Sequence, residues 1–325
     1  MIYLIVLFLA FLAGFAVRRG SICLVRATHE IVERKPAKTM FFVIEAMTVA
    51  LSITIPAMIF FPEYISLAKS HDLSVYLFLG ASLYGIGAAA NDACALGTLN
   101  QLMNGKVEYV ATILGLAFGF MVFLNLDLMH AIHDLENTNN ASLNIFLFIP
   151  LMLLVWAIVV LQIMSFVRES KKNKLNKFKR YLTSPVARDF IGVSIFGLCS
   201  GALFLLLGRS WDYTKLIMEV EVHLYAGSLP DMTILPVMMA TIALITGMAI
   251  ATSLSKSFKL RSSTFKAFAV KFFAGAVMGA AVGLIPGGND TIILHGVPGL
   301  ALHAPIALMV MMMTIAIIVY IKKLK

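Results

Sequence analysis

The chain has 325 residues, of which 60% are hydrophobic and 13% charged, and its mean hydropathy is +0.91. Because soluble domains carry about 25% charged residues, this composition excludes an ordinary soluble protein and indicates an integral membrane protein. The net charge of +9 does not indicate nucleic-acid binding, since the basic residues gather in short segments between apolar runs, as topology signals do.

Nine apolar segments follow one another along the chain, each near the ~20 residues that a helix needs to cross a bilayer. They cover residues 2–17, 41–61, 75–90, 107–126, 144–167, 189–208, 232–255, 267–285 and 300–321. The alternation with a period of two that is typical of a membrane β-barrel is missing. The sequence therefore predicts an all-α integral membrane protein of about nine transmembrane helices.

The distribution of Lys and Arg predicts the orientation. Only Lys69, Arg209 and Lys215 fall in loops on one side, together with nine of the 17 acidic residues. If the basic-rich side is cytoplasmic, the amino terminus lies outside and the carboxy terminus inside, as nine crossings require. The first segment lacks a preceding positive region, so we expect a retained span and not a cleaved signal peptide. A bacterial inner (cytoplasmic) membrane is the predicted location.

Two Gly-rich polar stretches interrupt the apolar pattern in distant parts of the chain. Residues 85–98 read Gly-Ile-Gly-Ala-Ala-Ala-Asn-Asp-Ala-Cys-Ala-Leu-Gly-Thr, and residues 283–296 read Gly-Leu-Ile-Pro-Gly-Gly-Asn-Asp-Thr-Ile-Ile-Leu-His-Gly. The Asn-Asp pairs are Asn91–Asp92 and Asn289–Asp290. Such interruptions in corresponding positions of two halves indicate a transporter's binding site.

The positions of the motifs predict an inverted-topology repeat. Residues 1–143 hold spans one to four, residues 144–188 hold span five and a basic cytoplasmic linker, and residues 189–325 hold spans six to nine. A single connecting span reverses the orientation of the second set of spans, so the two motifs enter from opposite faces. A fainter match of Gly20–Cys23 with Gly197–Gly201 supports the same division.

Each motif is predicted to begin a short re-entrant helix. Irregular backbone at membrane depth is tolerated where it is buried in protein or lines a wet cavity. If a helix starts at each Asn-Asp pair, Asn or Asp can cap it, and the free N–H groups suit an anion. The alternative is a pair of capped hairpins in which Asn and Asp only satisfy backbone groups.

Buried carboxyl groups need an explanation within this pattern. Asp92 and Asp290 must cap amides, pair with a cation or be protonated. Glu45, inside span two, could serve a proton path or only an internal hydrogen bond.

Three cysteines, Cys23, Cys94 and Cys199, form no Cys-x-x-Cys pair and have no zinc-site spacing. Each could be a small buried hydrophobe. Cys94, however, follows Asn91–Asp92 where the short helix is expected to start, and a thiol there can contact a soft sulfur ligand. Three thiols at separate points near the predicted re-entrant elements favour contacts along the path of a soft anion over a single metal site.

The motif around Cys94 and Gly97, the run Gly20-Ser-Ile-Cys-Leu-Val-Arg26 and the closing Gly-Gly-Asn289-Asp290 resemble the YeeE/YedE family of sulfur-transport membrane proteins, over essentially the whole chain. The resemblance implies an hourglass-like path between re-entrant helices, with thiosulfate handed along by S–H contacts at Cys23 and Cys94. Thiosulfate-transporting members also resemble one another in having a cysteine in the closing repeat. This chain has none there, so another sulfur-containing or small anion is an alternative substrate.

We therefore expect a non-enzymatic permease without cofactor or bound metal, whose partners are the lipid bilayer, a small inorganic anion and a cytosolic sulfur-carrier protein. The alternatives are a membrane-embedded sulfur-transfer or redox protein, and a cation or metal transporter using Asp92 and Asp290. His295 could be a neutral donor or a pH switch facing the pore. His130 and His133 could bind a metal with nearby acids, although a solvated acidic loop explains them better. The predicted path residues are Cys23, Cys94, Cys199, Asn91, Asp92, Gly97, Gly288, Asn289, Asp290 and His295.

Overall fold

A computed structural model describes most of the chain and confirms the all-α prediction. The described residues are 2–20, 22–61, 68, 70–126, 149–150, 152–161, 164, 185–228, 234–285 and 287–324. Their regular elements are helices, and the described residues contain no β-strand, apart from an isolated bridge between Lys106 and Arg261.

Six labelled helices occupy the first part of the chain. They are α1 Ile2–Gly20, α2 Leu24–Val32, α3 Lys38–Phe60, α4 Val75–Asn91, α5 Ala95–Met103 and α6 Tyr109–Asn125. Two of them, α2 and α5, have only nine residues, or about 14 Å at the α-helical rise. They are therefore too short to cross a bilayer.

The second part repeats this order of long and short helices. It contains α7 Pro185–Leu207, α8 Tyr213–Tyr225, α9 Leu235–Leu254, α10 Phe265–Leu284, α11 Asn289–Thr291 with a π-helical continuation Ile292–Gly296, and α12 His303–Leu324. Between the two parts lies a shorter apolar helix, Met152–Leu161.

The protein is a multi-pass membrane protein, since six helical segments of the described residues are long and apolar enough to span. They are Ile2–Val32, which includes α1 and α2, Lys38–Phe60, Asp189–Leu207, Leu235–Leu254, Phe265–Leu284 and His303–Leu324. The predicted spans 75–90 and 107–126 correspond to the 17-residue helices α4 and α6. Much of the predicted span 144–167 lies outside the described residues, so the count of nine stays a prediction.

Local sequence explains where several helices begin. Ser74 precedes α4 and accepts a hydrogen bond from the Leu77 N–H, while Thr264 precedes α10 and accepts one from the Ala267 N–H. Such N-caps satisfy amides that have no partner within the helix.

Small residues let the long helices pack closely. The helix α10 packs against α4 and α6, α1 packs against α7 and α9, α3 packs against α7, and α4 packs against α12. At the α6–α10 crossing, a Cβ atom added at Gly279 would overlap the backbone carbonyl of Leu116, and one at Gly119 would overlap that of Ala276. Close backbone approach through glycine is typical of membrane helix pairs. The resulting framework holds the N-terminal ends of α5, α8 and α11 in contact.

Candidate functional site

The chain turns sharply between α4 and α5. Asp92 adopts a left-handed backbone conformation with φ of 54° and closes the end of α4, a conformation that Asn and Asp tolerate better than most residues. The side chain of Asn91 holds the turn, because its Nδ2 donates to the Ala93 carbonyl and to Thr98 Oγ1, both at 2.9 Å. Its Oδ1 accepts from Thr112 Oγ1 at 2.8 Å.

This turn places Cys94 at the N-terminal end of α5, where it faces a second thiol. Cys94 is the N-cap residue of α5 and Cys23 that of α2. Their Sγ atoms are 3.6 Å apart in an S–H···S hydrogen bond. A disulfide has an S–S distance of about 2.05 Å, so the two are free thiols. Neither side chain caps the first turn of its own helix.

Gly97 gives the thiol of Cys23 its space. A Cβ atom at position 97 would lie 2.7 Å from Cys23 Sγ, which is well inside van der Waals contact. The predicted path residues Cys23, Cys94 and Gly97 therefore lie together.

Asn289 connects the second motif to this thiol pair. Its Oδ1 accepts hydrogen bonds from Tyr84 Oη at 2.6 Å and from the backbone N–H of Ala95 at 3.2 Å. The Tyr213 hydroxyl donates to the carbonyl of the same Ala95 at 3.0 Å. Both residues of each contact are buried, so the start of α5 is fixed by side chains from α4, α8 and α11.

Two carboxyl groups lie beside this contact. Asp290 Oδ2 accepts from Thr214 Oγ1 at 2.6 Å, and Asp212 Oδ1 accepts from Thr291 Oγ1 at 3.0 Å. Each bond joins the start of α8 to the start of α11, with the carboxylate on α11 in the first and before α8 in the second. Asp212 also caps α8, because its Oδ1 accepts from the Lys215 N–H at 2.9 Å. Both aspartates are buried: Asp212 is 2% exposed and Asp290 is 0% exposed.

Comparison with known families identifies the family of the chain. A family model described as sulphur transport matches residues 19–317. The chain belongs to the sulphur-transport (YeeE/YedE) family. No individually curated protein matches it. The family supports a sulfur-related transporter.

In this sulphur-transport protein the two Asn-Asp pairs are not equivalent in structure. Asn91 ends α4, so the prediction that the first pair begins a helix is wrong, and the short helix starts three residues after Asp92. Asn289 begins α11, but the N-cap residue is Gly288 and neither Asn289 nor Asp290. The backbone of Gly288, with φ −80° and ψ −178°, instead matches that of Cys94, with φ −80° and ψ −176°. When the two motifs are aligned at the N-cap residues of their short helices, Cys94 corresponds to Gly288.

Asp92 lies apart from the buried cluster. Its side chain is 61% exposed, with Lys271 Nζ at 3.4 Å and Lys322 Nζ at 3.7 Å. Lys271 also donates to the Asn91 carbonyl and lies 4.7 Å from the centre of the Tyr109 ring. Of the roles considered for Asp92, pairing with a cation is the one that the contacts support.

Cys199, His295 and Glu45, which the sequence analysis also singled out, have surroundings of their own. Cys199 is buried inside α7, whereas Cys23 follows the end of α1, so the two short motifs that contain them do not occupy matching places. His295 lies in the π-helical segment, and its ring centre is 4.8 Å from that of Phe204. Glu45 is buried and accepts from Ser194 Oγ at 2.5 Å, which is the internal hydrogen bond considered for it.

The proposed metal ligands of the outer loop, His130 and His133, lie outside the described residues. Within the described part of the chain, no group of three His, Cys, Asp or Glu side chains could hold a metal ion.

Several site residues escape sequence reasoning, namely Tyr84, Asp212, Tyr213, Thr214 and Thr291. The sequence places Asp212 in an outer loop. A local signal exists, because Asp before an amphipathic stretch predicts a helix N-cap. The tyrosines carry no such signal, since an aromatic residue in an apolar helix is usually a packing residue.

Proposed function

We propose that the protein is a permease of the bacterial cytoplasmic membrane for a small sulfur-containing inorganic anion such as thiosulfate. The observation that carries the proposal is the thiol pair, Cys23 and Cys94, at the N-terminal ends of two short helices. Its family is one of sulphur transport, and the thiol pair supplies a chemistry suited to that cargo.

The chemistry of the pair suits an anion with a terminal sulfur. Thiols are soft donors, so an S–H group can hydrogen-bond a terminal sulfur, for which a hard oxygen ligand is a poorer match. The positive ends of α2 and α5 favour the negative charge of the same anion. Because S–H···S contacts are weak, the anion can leave as readily as it arrives, which transport requires.

We propose further that the chain contains an inverted repeat, with α1–α6 corresponding to α7–α12. The packing pattern supports this, because exchanging the two sets of six helices reproduces most of it, the contact of α7 with the π-helical segment being an exception. The contact of α1 with α9 matches that of α7 with α3, and the contact of α4 with α12 matches that of α10 with α6. Likewise α2 packs on α12 as α8 packs on α6. The units are 1–143 and 189–325, joined by 144–188.

In this arrangement α5 and α11 are re-entrant half-helices that approach each other from opposite faces. The bond from the Ala95 N–H to Asn289 Oδ1 joins their N-terminal ends. The anion would pass beside this junction and then meet Cys94 and Cys23.

A cavity with two arginines in its lining supports a cytoplasmic exit for the anion. It has a volume of about 440 Å³ and is lined by Arg18, Arg19, Asn104, Asp189, Ala251, Leu254, Ser255 and Ser257. Arg18 donates to the neutral acceptors Thr252 Oγ1, Asn104 Oδ1 and Ser257 Oγ. The cavity lining includes two arginines and one acidic residue, Asp189, so its balance of charge is positive and favours an anion. The inside position of this cavity is inferred from the bias of Lys and Arg.

A second candidate is sulfur transfer, which the 3.6 Å separation of the two thiols favours. A sulfur-transferring thiol would be trapped as a persulfide or mixed disulfide, and mass spectrometry of the isolated protein would detect it. A cation transporter using Asp92 and Asp290 has less support, because Asp92 is paired with lysines and Asp290 is buried in another cluster.

The test is uptake by purified protein in liposomes, comparing thiosulfate, sulfite and sulfate. We expect uptake of a sulfur anion by the wild type and its loss in Cys94→Ala. Cys199→Ala is the matched comparison, since Cys199 is a buried thiol outside the pair. Retained uptake in this variant would restrict the essential thiols to the pair, and lost uptake would extend the path to Cys199. Undiminished uptake by Cys94→Ala with normal folding would refute the role of the thiol pair.

A further inference from the structure

The second half of the chain has carboxyl groups where the first half has thiols. Asp212 is the N-cap residue of α8, as Cys23 is of α2. Gly288, which matches Cys94, has no side chain, and a Cβ atom there would lie 2.5 Å from Asp290 Oδ1. The carboxyl group of Asp290 thus occupies the space that a side chain at the start of α11 would take.

These two carboxyl groups are poorly compensated. Asp290 Oδ1 and Asp212 Oδ2 are buried without a hydrogen-bond partner among the described residues. Asn289 Nδ2, in a residue that is 0% exposed, is likewise buried without a partner. The ion pairs of the described residues include neither aspartate.

Other ionisable groups surround the pair without neutralising it. Tyr84 of α4 donates to Asn289, the residue before Asp290. Tyr213 of α8 follows Asp212 and donates to the carbonyl of Ala95, the residue after Cys94. Lys215 of α8 bonds Asp212 through its backbone N–H. The π-helical segment contributes His295, whose ring packs on Phe204.

We propose that Asp212 and Asp290 form a proton-binding site that couples anion passage to proton entry. Two buried carboxylates without a paired cation are costly, and a proton removes one of the charges. The free oxygens of Asp212 and Asp290 provide the place for that proton. Hydroxyl donors from Thr214 and Thr291 hold the remaining charge.

The coupling is a consequence of charge and rests on the proposed function. When both carboxyl groups are ionised, their field repels an anion that approaches the thiol pair. A proton taken from the outer solution removes that repulsion, and its release inside accompanies the anion. Proton and anion therefore move in the same direction.

The proton itself can be detected without transport. The infrared spectrum of the purified protein at neutral pH should show the carbonyl stretch of a protonated carboxylic acid, and Asp290→Asn or Asp212→Asn should lose intensity in it. Asn is also a good N-cap residue, so Asp212→Asn keeps α8 capped. Glu45→Gln is the matched control, because Glu45 is also buried with an unpartnered oxygen and its loss should leave the aspartate band. A spectrum unchanged by both Asp substitutions would overturn the proposal.

The transport arm separates the two proposals. In liposomes, wild-type uptake should increase when the outside is acidified and fall when it is made alkaline, while Asp290→Asn should take up anion without this dependence. Wild-type uptake that ignores a pH gradient refutes the coupling and leaves the permease intact. No uptake of any sulfur anion refutes the permease, and the infrared result still decides whether the proton site exists. If Asp290→Asn fails to fold, Thr214→Val, which removes the hydroxyl donor, should alter the same band.

Discussion

The side chain of Asn289 accepts a hydrogen bond from the backbone N–H of Ala95, 194 positions earlier in the chain. Because Ala95 directly follows Cys94, this bond sets the position of the thiol relative to the second motif. Both partners are buried, and the other hydrogen bond to Asn289 Oδ1 comes from Tyr84.

Replacing Asn289 by Ala should therefore weaken both stability and uptake. Two buried donors lose their acceptor, and an unsatisfied buried group costs about 1–3 kcal/mol. Tyr84→Phe removes a single hydrogen bond and keeps the ring, so its effect should be clearly smaller. Thermal unfolding in detergent and liposome uptake measure the two effects. Equal behaviour of Asn289→Ala and wild type in both assays would contradict this role.

The separation of Cys23 and Cys94 predicts sensitivity to oxidation. Diamide, a thiol oxidant, should take two electrons and two protons from the pair and leave a disulfide, for which the Sγ atoms must approach by about 1.5 Å. The disulfide removes both S–H donors, so uptake should stop and return after reduction. Cys199→Ala should form the same disulfide as the wild type, and Cys23→Ser should form none, which mass spectrometry of the treated proteins detects. Inhibition of the wild type without a Cys23–Cys94 disulfide would show that another thiol is responsible.

The helical framework could be predicted from the sequence for a simple reason. Apolar runs near the length of a bilayer crossing give a strong local signal, and the predicted span 267–285 coincides with α10, Phe265–Leu284. The two thiols of the pair could be singled out from the sequence, because Cys23 and Cys94 each follow an apolar helix at a point where Gly and polar residues begin. Their contact with each other is a tertiary relationship, and no local pattern specifies it.

The carboxyl pair could not be predicted in the same way. Asp290 stands out as an acid between apolar segments, but its neighbour Asp212 looks like an ordinary loop residue. Their hydrogen bonds to Thr214 and Thr291 join positions 76 and 79 residues apart. The literal Asn-Asp match is also misleading, because the first pair closes a helix and the second begins one. The equivalent backbone geometry pairs Cys94 with Gly288, whereas the sequence alignment pairs Asn91 with Asn289.

The exposure of Asp92 predicts a small effect for its substitution. Exposed ion pairs contribute about 0–1 kcal/mol, and the carbonyl of Asn91 still accepts from Lys271 when the carboxylate is absent. Asp92→Asn should therefore keep its stability and take up anion at a rate close to that of the wild type. Lys271→Met is the informative comparison, because it also removes the donor to Asn91, and it should unfold at a lower temperature. A complete loss of transport in Asp92→Asn would instead favour a cation pathway through this residue.

The close crossing of α6 and α10 predicts that Gly279 tolerates no larger side chain. A Cβ atom at this position would overlap the backbone carbonyl of Leu116, so Gly279→Val must push the two helices apart. Because α10 also packs against α4, the displacement would reach the turn that precedes Cys94. Overpacking of this kind typically costs about 1–3 kcal/mol, and we expect a lower yield of folded protein and an earlier thermal transition. Phe273→Ala on the same helix is the control, since its side chain is 66% exposed and faces away from this crossing. Size-exclusion profiles and unfolding curves of the two variants, measured side by side, decide the matter: a Gly279→Val protein as stable as Phe273→Ala would mean that α6 and α10 do not pack this closely in the membrane.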